Sequence, residues 1–373
     1  MNIPETKLHQ LIDRLTQSHV CFAIYRLPWT DEPILILQNE TEEVETFEDL
    51  SELNGKTGFV LAPFRYSPEH PGVIIRPDHT AREWEQIEEV LQHLNTDSSL
   101  IRSAETAETI HTGTAHGKKN YTEAFNRFIA PLREGTFKKL VLSRNETLDL
   151  PENFSPLRAF INACNSYPRM MISLTHTPIT GTWIGSTPEI ILSGQDNQWH
   201  TVSLAGTMPM EGEVMPENWS DKNREEQAFV SEYLRKTIKK FGSKLTEKGP
   251  YTARAGQLVH LKTDFHFCLK NTDNLGDILS ELHPTPAVCG LPKQAAYEFI
   301  PENEGYDRSY YSGIIGWLDS QGHTTLYVNL RCMHIHNAQT TLYAGGGILP
   351  SSTADTEWEE TRHKMNTMKQ IIQ

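Results

Sequence analysis

TTLYAGGGILPSSTADTEWEETRHKMNTMK, residues 340–369, is the stretch from which the rest of the chain is best read. Thr341–Ala344 is an apolar strand that runs into Gly345, Gly346 and Gly347. A short polar loop follows, and a helix is expected to open near Asp355. Three glycines after a strand allow close backbone approach, and their successive N–H groups can form an anion-binding nest. On the helix, Glu357, Glu360 and Lys364 stand at i, i+3 and i+7 and share one face. Met368 and Ile371 continue that face, so it points inward. Two carboxylates and a lysine beside a nest suit a divalent metal and an anionic substrate. A glycine turn followed by a solvated ladder of weak ion pairs fits the same residues. The glycine run has neither the spacing nor the following acidic residue of a dinucleotide fingerprint.

Outside this stretch, strands and helices mix without a strict βαβ beat, which predicts an α+β fold. The chain has 373 residues, enough for one large domain or two ordinary ones. It is 38% hydrophobic and 22% charged, with no apolar run long enough for a membrane span. Its opening, MNIPETKLHQ, lacks the pattern of a secretory signal. A net charge of −14 argues against a general nucleic-acid binder. Cys21, Cys164, Cys268, Cys289 and Cys332 are scattered with no zinc-like spacing, as expected of reduced thiols in a cytoplasmic protein.

Pro4–Ser18 reads as an amphipathic helix, and Val20–Tyr25, Ile34–Gln38 and Gly58–Pro63 read as strands. Thr80 is placed to cap a helix over Ala81–Leu94. The polar stretch Asn95–Lys119 reads as a long loop or connector. Helices are expected at Tyr121–Arg133, Lys222–Phe241 and Gln294–Phe299, with a helical turn near Asp277–Leu282. Strands are expected at Lys139–Ser143, Met170–Leu174, Trp183–Ile184, Ile190–Leu192, Trp199–Leu204, Gln257–Leu261, Tyr311–Leu318 and Thr325–Cys332.

Several residues could carry chemistry. Glu226 precedes Phe229, Val230 and Tyr233 at i+3, i+4 and i+7, so it lies on an apolar helix face. Glu225 and Lys222 share that face less fully. A carboxylate there is costly unless it pairs, for instance with a buried Arg, or binds metal. With Glu360 it could supply one Mg²⁺ site from two helices. In KLVLSR, Lys139 opens a strand, either as a surface residue or as a general base; a base must shed its proton, which burial or a nearby cation favours. Glu189, after Pro188, is either an ordinary strand-start residue or a general acid. Arg331 ends a strand and could fork onto a carboxylate. His283 and His260 fit structural roles.

The segments KLVLSR, GSTPEIIL, LAGT, DKNREEQ, HPTPAVCGLPK, EGYDRSYYSGIIGW, LRC, YAGGGI and EWEETRHK occur in this order from about Tyr121 onward. Together they resemble the chorismate-utilising enzymes: isochorismate, salicylate, anthranilate and aminodeoxychorismate synthases. The resemblance implies one domain of the anthranilate synthase component I-like type over 1–373. Large, mainly antiparallel sheets would carry helices outside, with a variable part at 1–118 and the motif-bearing part at 119–373. Within the family the residues side with isochorismate synthase. Lys139 stands where isochorismate and salicylate synthases keep their water-activating base. Ala205 stands where aminodeoxychorismate synthases often carry a nucleophilic lysine.

By motif, Glu189 is then the general acid, Glu226 and Glu360 ligate Mg²⁺, and Glu357 holds metal-bound water. Arg331, Gly345, Gly346, Lys364, Gly206 and Thr207 are implied to contact substrate carboxylates, and His283 to lie near the ring. Asn223 and Gln227 depart from the family's usual acidic residue and His. The implied reaction moves a hydroxyl across chorismate, with water attacking C2 and the C4 hydroxyl leaving. Salicylate synthesis is the first alternative, and ammonia-dependent chemistry with an amidotransferase partner the second. The resemblance further implies a small-molecule substrate and no obligatory amidotransferase. Charge and hydropathy argue against a nucleic-acid or membrane partner, and no amphipathic stripe is spare for a second subunit, which favours a monomer. Menaquinone and siderophore routes both fit its product.

Overall fold

In the computed structural model the described residues are 6–39, 43–95, 117–210, 214–216 and 218–372. The N-terminal part gives α1 (Thr6–Leu15), β1 (Phe22–Arg26), β2 (Ile34–Leu37), β3 (Glu45–Phe47), β4 (Thr57–Ala62), β5 (Gly72–Ile75), β6 (His79–Arg82) and α2 (Glu83–Asn95). Next come α3 (Gly117–Arg133), β7 (Lys139–Asp149), α4 (Pro156–Ser166), β8 (Met171–Thr177), β9 (Gly181–Thr187), β10 (Ile190–Gln195), β11 (Gln198–Pro209) and α5 (Asp221–Phe241). The remainder is β12 (Gly242–Ala255), β13 (Leu258–Leu269), α6 (Leu275–Leu282), β14 (Gly290–Leu291), α7 (Lys293–Glu304), β15 (Ile314–Asp319), β16 (Thr324–Val328), β17 (Cys332–His336), β18 (Gln339–Ile348) and α8 (Ala354–Lys369).

Among the described residues the strands form two nine-stranded sheets. The first runs β14-β7-β18-β17-β9-β8-β1-β2-β6 and the second β12-β13-β11-β10-β16-β15-β4-β5-β3. Neighbouring strands are antiparallel, as in β7–β18 and β11–β13. The N-terminal strands complete both sheets rather than forming a separate layer. Alternation along β1 shows the layering. Phe22 and Ile24 face the helices α1, α4 and α8, whereas Ala23 and Tyr25 join Phe59, Trp183, Tyr327 and Tyr343 between the sheets. On the far side, Val230, Leu234 and Ile238 of α5 pack with α6 against the second sheet. Burial on both faces explains why β2 reads as an unbroken apolar run and why Phe22–Tyr25 of β1 does nearly so. The expected α+β architecture, antiparallel sheets with helices outside, is the one observed. No helix among the described residues is long and apolar enough to cross a membrane.

Some local readings are corrected. Thr80 does not cap a helix: His79–Arg82 pair with Ile34–Leu37 as an edge strand, and α2 starts at Glu83. The stretch Asn95–Lys119 lies largely outside the described residues, although α3 already begins at Gly117. The expected strand Thr325–Cys332 breaks after Val328, and Cys332 opens β17 in the other sheet. The glycines after Ala344 do not form a turn. Gly345, Gly346 and Gly347 continue β18 opposite Ser143, Leu142 and Val141 of β7.

Candidate active site

Two neighbouring strand pairs leave one sheet for the other at the same place. β9 passes to β10 through Pro188 and Glu189, and β16 passes to β17 through Asn329–Arg331. The crossings are tied together. Val328 donates its N–H to the Glu189 carbonyl at 2.9 Å, and Ser186 donates to the Arg331 carbonyl at 3.1 Å. The Thr187 hydroxyl donates to the Val328 carbonyl at 2.6 Å. Arg331 therefore sits in the crossing, with φ of 45°, rather than at the end of a strand.

The second crossing also bares part of β18. β17 pairs with β18 only from Gln339 to Leu342, whereas β7 follows β18 to Ile348. Beyond Leu342 the other edge of β18 therefore faces the space between the sheets. The Gly345 carbonyl on that edge accepts from Lys364 Nζ at 2.8 Å. A residue's N–H and C=O share one strand edge, so the amides of Gly345 and Gly347 also lie there. Anion recognition here would use an open strand edge, not the turn nest expected from the sequence.

A cavity of about 70 Å³ opens at this point. Its wall includes Glu189, Gly206, Thr207, Glu226, Arg331, Gly345, Gly346 and Lys364, together with His260, Tyr311 and Gly347. Lys139, Glu357, Glu360 and His283 are not wall residues. His283 is buried with its ring edge-on to Phe64, away from the wall. Lys139 lies directly behind the wall, with its Nζ 2.9 Å from Glu226 Oε1. Its side chain is fully buried, and among the described residues its Nζ has no hydrogen-bond partner beyond this ion pair. Glu226 thus has a lysine partner, not the arginine considered above.

Close packing depends on the absent side chains of the glycines. A Cβ on Gly347 would stand 2.1 Å from Glu226 Oε1, and one on Gly346 would stand 3.2 Å from Glu360 Oε1 and 3.4 Å from Glu357 Oε2. The carboxylates of α5 and α8 converge on β18 because glycine leaves them room.

Each carboxylate is held by a lysine. Glu226 pairs with Lys139, Glu360 with Lys364 at 2.7 Å, and Glu357 with Lys222. Lys222 shares the Glu226 face more fully than the sequence suggests, because their i, i+4 relation puts both on one side of α5. Among the described residues no three His, Cys, Asp or Glu side chains already form a ligating cluster. Glu357 Oε2 is buried without a hydrogen-bond partner.

Burial pushes the Glu189 carboxyl up to about 7, against the pull of Lys139, Lys364 and Arg331. Burial also favours the neutral form of Glu226, but Lys139 and Lys222 outweigh it and hold that carboxyl below its ordinary range. Glu357 is raised to about 7 by burial and then by the charge of Glu360. The cavity therefore contains one carboxyl ready to donate a proton and another held as the anion.

His260 connects two parts of the wall. Its Nε2 lies 2.5 Å from Arg331, and its Nδ1 lies 2.9 Å from the Gly206 carbonyl. Arg331 can only donate, so Nε2 accepts and Nδ1 carries the proton. Burial, followed by Arg331 and Lys364, keeps this ring's pKa well below the ordinary histidine value. Gly206, at φ of 69°, turns the chain against α5, and a Cβ there would meet Asn223 at 3.0 Å. Gln227 donates to Ser203 and Thr263 as a packing residue.

Residues 54–373 match the family described as chorismate binding enzyme. Isochorismate synthase EntC of Escherichia coli (strain K12) is 32% identical over 207 residues, 53% of each chain. The chain thus spans about half the length of the curated relatives it first matches. The structure of MenF, the menaquinone-specific isochorismate synthase from Escherichia coli, superimposes with a TM-score of 0.75 at 21% identity, covering 100% of this chain and 92% of that one. Anthranilate synthase component I from Streptococcus pneumoniae TIGR4 gives 0.64 at 16%, covering 94% and 91%. With its fold, its glycine-lined cavity and the family match over most of its length in agreement, this chain belongs to the chorismate binding enzymes.

Proposed function

We propose that the protein is an isochorismate synthase, converting chorismate to isochorismate with Mg²⁺. The observation that carries the reading is the buried Glu189 carboxyl, in one cavity with Glu226 and Arg331 and backed by Lys139. A binding module needs neither a buried acid near neutrality nor a buried lysine behind its wall.

The residues fit a hard divalent cation. Three carboxylates face the glycines of β18, and among the described residues Glu357 Oε2 has no hydrogen-bond partner. Oxygen donors of this kind suit Mg²⁺, with Glu226, Glu357 and Glu360 as its holders. Bound there, the cation would neutralise a substrate carboxylate. Arg331, fixed by His260 and by the Ala255 carbonyl at 3.0 Å, would hold the other carboxylate with the open-edge amides of β18.

Lys139, released from Glu226 and present as the neutral amine, would take a proton from the water attacking C2. Glu189 would give its proton to the C4 oxygen, which leaves as water while the ring double bonds shift. Each group would contribute on the order of 10²–10⁴-fold, with positioning and fixed charge supplying the rest. The chain would act as one unit, 1–118 with 119–373, as a cytoplasmic monomer without an amidotransferase.

The test is chromatography of the products from purified protein, chorismate and Mg²⁺. Isochorismate is expected. Salicylate with pyruvate would make the protein a salicylate synthase, an aminated ring would point to ammonia chemistry, and unconsumed chorismate would contradict catalysis altogether.

A further inference from the structure

We propose that Lys222 is a displaceable counter-ion of the cation site, holding Glu357 through an ion pair that an entering divalent cation must break. The proposal rests on the reading that Glu226, Glu357 and Glu360 hold the cation.

The three lysines of the cluster are not equivalent. Lys139 is fully buried and backs the wall. Lys364 donates both to Glu360 and to the Gly345 carbonyl, so it is fixed at two points. Lys222 donates to Glu357 alone among the described residues. It sits in the first turn of α5 with its side chain 21% exposed, so its flexible stem can swing into water without unpacking the helix.

Glu357 is divided in the same way. The residue is 1% exposed. Its Oε1 is taken by Lys222, while Oε2 has no hydrogen-bond partner among the described residues and faces Gly346. One oxygen is thus ready for a ligand and the other must be released. Three carboxylates gathered in a buried site repel one another, and opposite charge is needed to hold them together. Lys222 supplies that charge when no cation is there, and it competes with the cation when one arrives.

The test is calorimetric titration of Mg²⁺ into chelator-stripped protein at pH 8.5, with melting curves recorded alongside. Lys222→Gln should bind Mg²⁺ about tenfold more tightly than wild type, because one positive charge leaves the site. Without Mg²⁺ it should melt at a lower temperature, and Mg²⁺ should raise that temperature more than it does in wild type. Lys222→Arg, whose planar fork grips a carboxylate better, should bind Mg²⁺ more weakly. Unchanged or weaker binding by a folded Lys222→Gln would overturn the proposal. If that variant does not fold, equal or tighter binding by Lys222→Arg would do the same. Glu360→Gln separates the two levels: it must weaken Mg²⁺ binding if the carboxylate reading holds. Unchanged binding there would remove that reading and this proposal with it. A weakened Glu360→Gln beside an unaltered Lys222→Gln would remove the proposal alone.

Discussion

Two clusters of buried charge flank β7, and they are built differently. Behind the strand, Arg308 forks onto Glu304 at 2.6 and 2.7 Å and donates to the Val288 and Val141 carbonyls. Glu304 also accepts from the Ser143 amide and hydroxyl. Neither side chain leaves a buried polar atom without a partner. In the cavity cluster the lysines and carboxylates pair singly, and among the described residues neither Lys139 Nζ, beyond its ion pair, nor Glu357 Oε2 has a hydrogen-bond partner. A saturated network holds a strand in one place. An unsaturated one can exchange partners, as binding a metal and moving a proton both require.

The largest effect should come from the cavity side. Lys139→Ala and Glu189→Gln should each lower isochorismate formation by roughly 10²–10⁴-fold while the protein stays folded. Turnover by either variant within a few-fold of wild type would cancel its assigned role. On the saturated side, Arg308→Met should cost about 3–5 kcal/mol in urea unfolding, because it leaves Glu304 buried and unpaired. A loss under about 1 kcal/mol would erase the contrast between the clusters.

Much of this site was legible in the sequence, and the part that was not has physical causes. Glu226, Glu360 and Lys364 follow from helical spacing, because their helices pack one face inward. The glycine run was misread because local pattern cannot say whether glycine serves a turn or a clearance. Here it clears space for carboxylates brought by two distant helices. The pairing of Lys139 with Glu226 joins residues on β7 and α5, which no local signal connects. Lys222 could have been found from its i, i+4 relation to Glu226.

Among the elements, α4 went unread although Ser155 caps it and Pro156 opens it. β12 is mostly exposed, so it shows no apolar alternation to detect. The break at Arg331 is a passage from one sheet to the other, which no local pattern marks.

Acidity separates the clusters next. The Glu189 carboxyl, about 7 when folded against 4.5 for an ordinary glutamate, binds a proton that the unfolded chain has already lost over that interval. It costs nothing below about pH 4.5 and progressively more as the pH rises to about 7. In chelator-stripped protein, wild type should therefore lose roughly 2–3 kcal/mol between pH 5 and 8 that Glu189→Gln does not lose. Parallel pH–stability curves for the two proteins would contradict the raised pKa.

The smallest effect should be steric. Gly347→Ala would place a methyl group 2.1 Å from Glu226 Oε1. It should cost about 1–3 kcal/mol of stability, as overpacking does, and more than tenfold in activity by displacing Glu226 from Lys139. Full activity would show that the cavity cluster does not depend on the clearance of β18.

The most direct measurement of the central claim is the origin of the new hydroxyl. Chorismate should be converted with Mg²⁺ in ¹⁸O-enriched water and the product examined by mass spectrometry. If Lys139 activates water against C2 while Glu189 protonates the departing C4 oxygen, each isochorismate formed carries one solvent-derived oxygen. Product made without label would mean that the substrate's own hydroxyl migrates, and the division of labour between this lysine and this acid would be wrong.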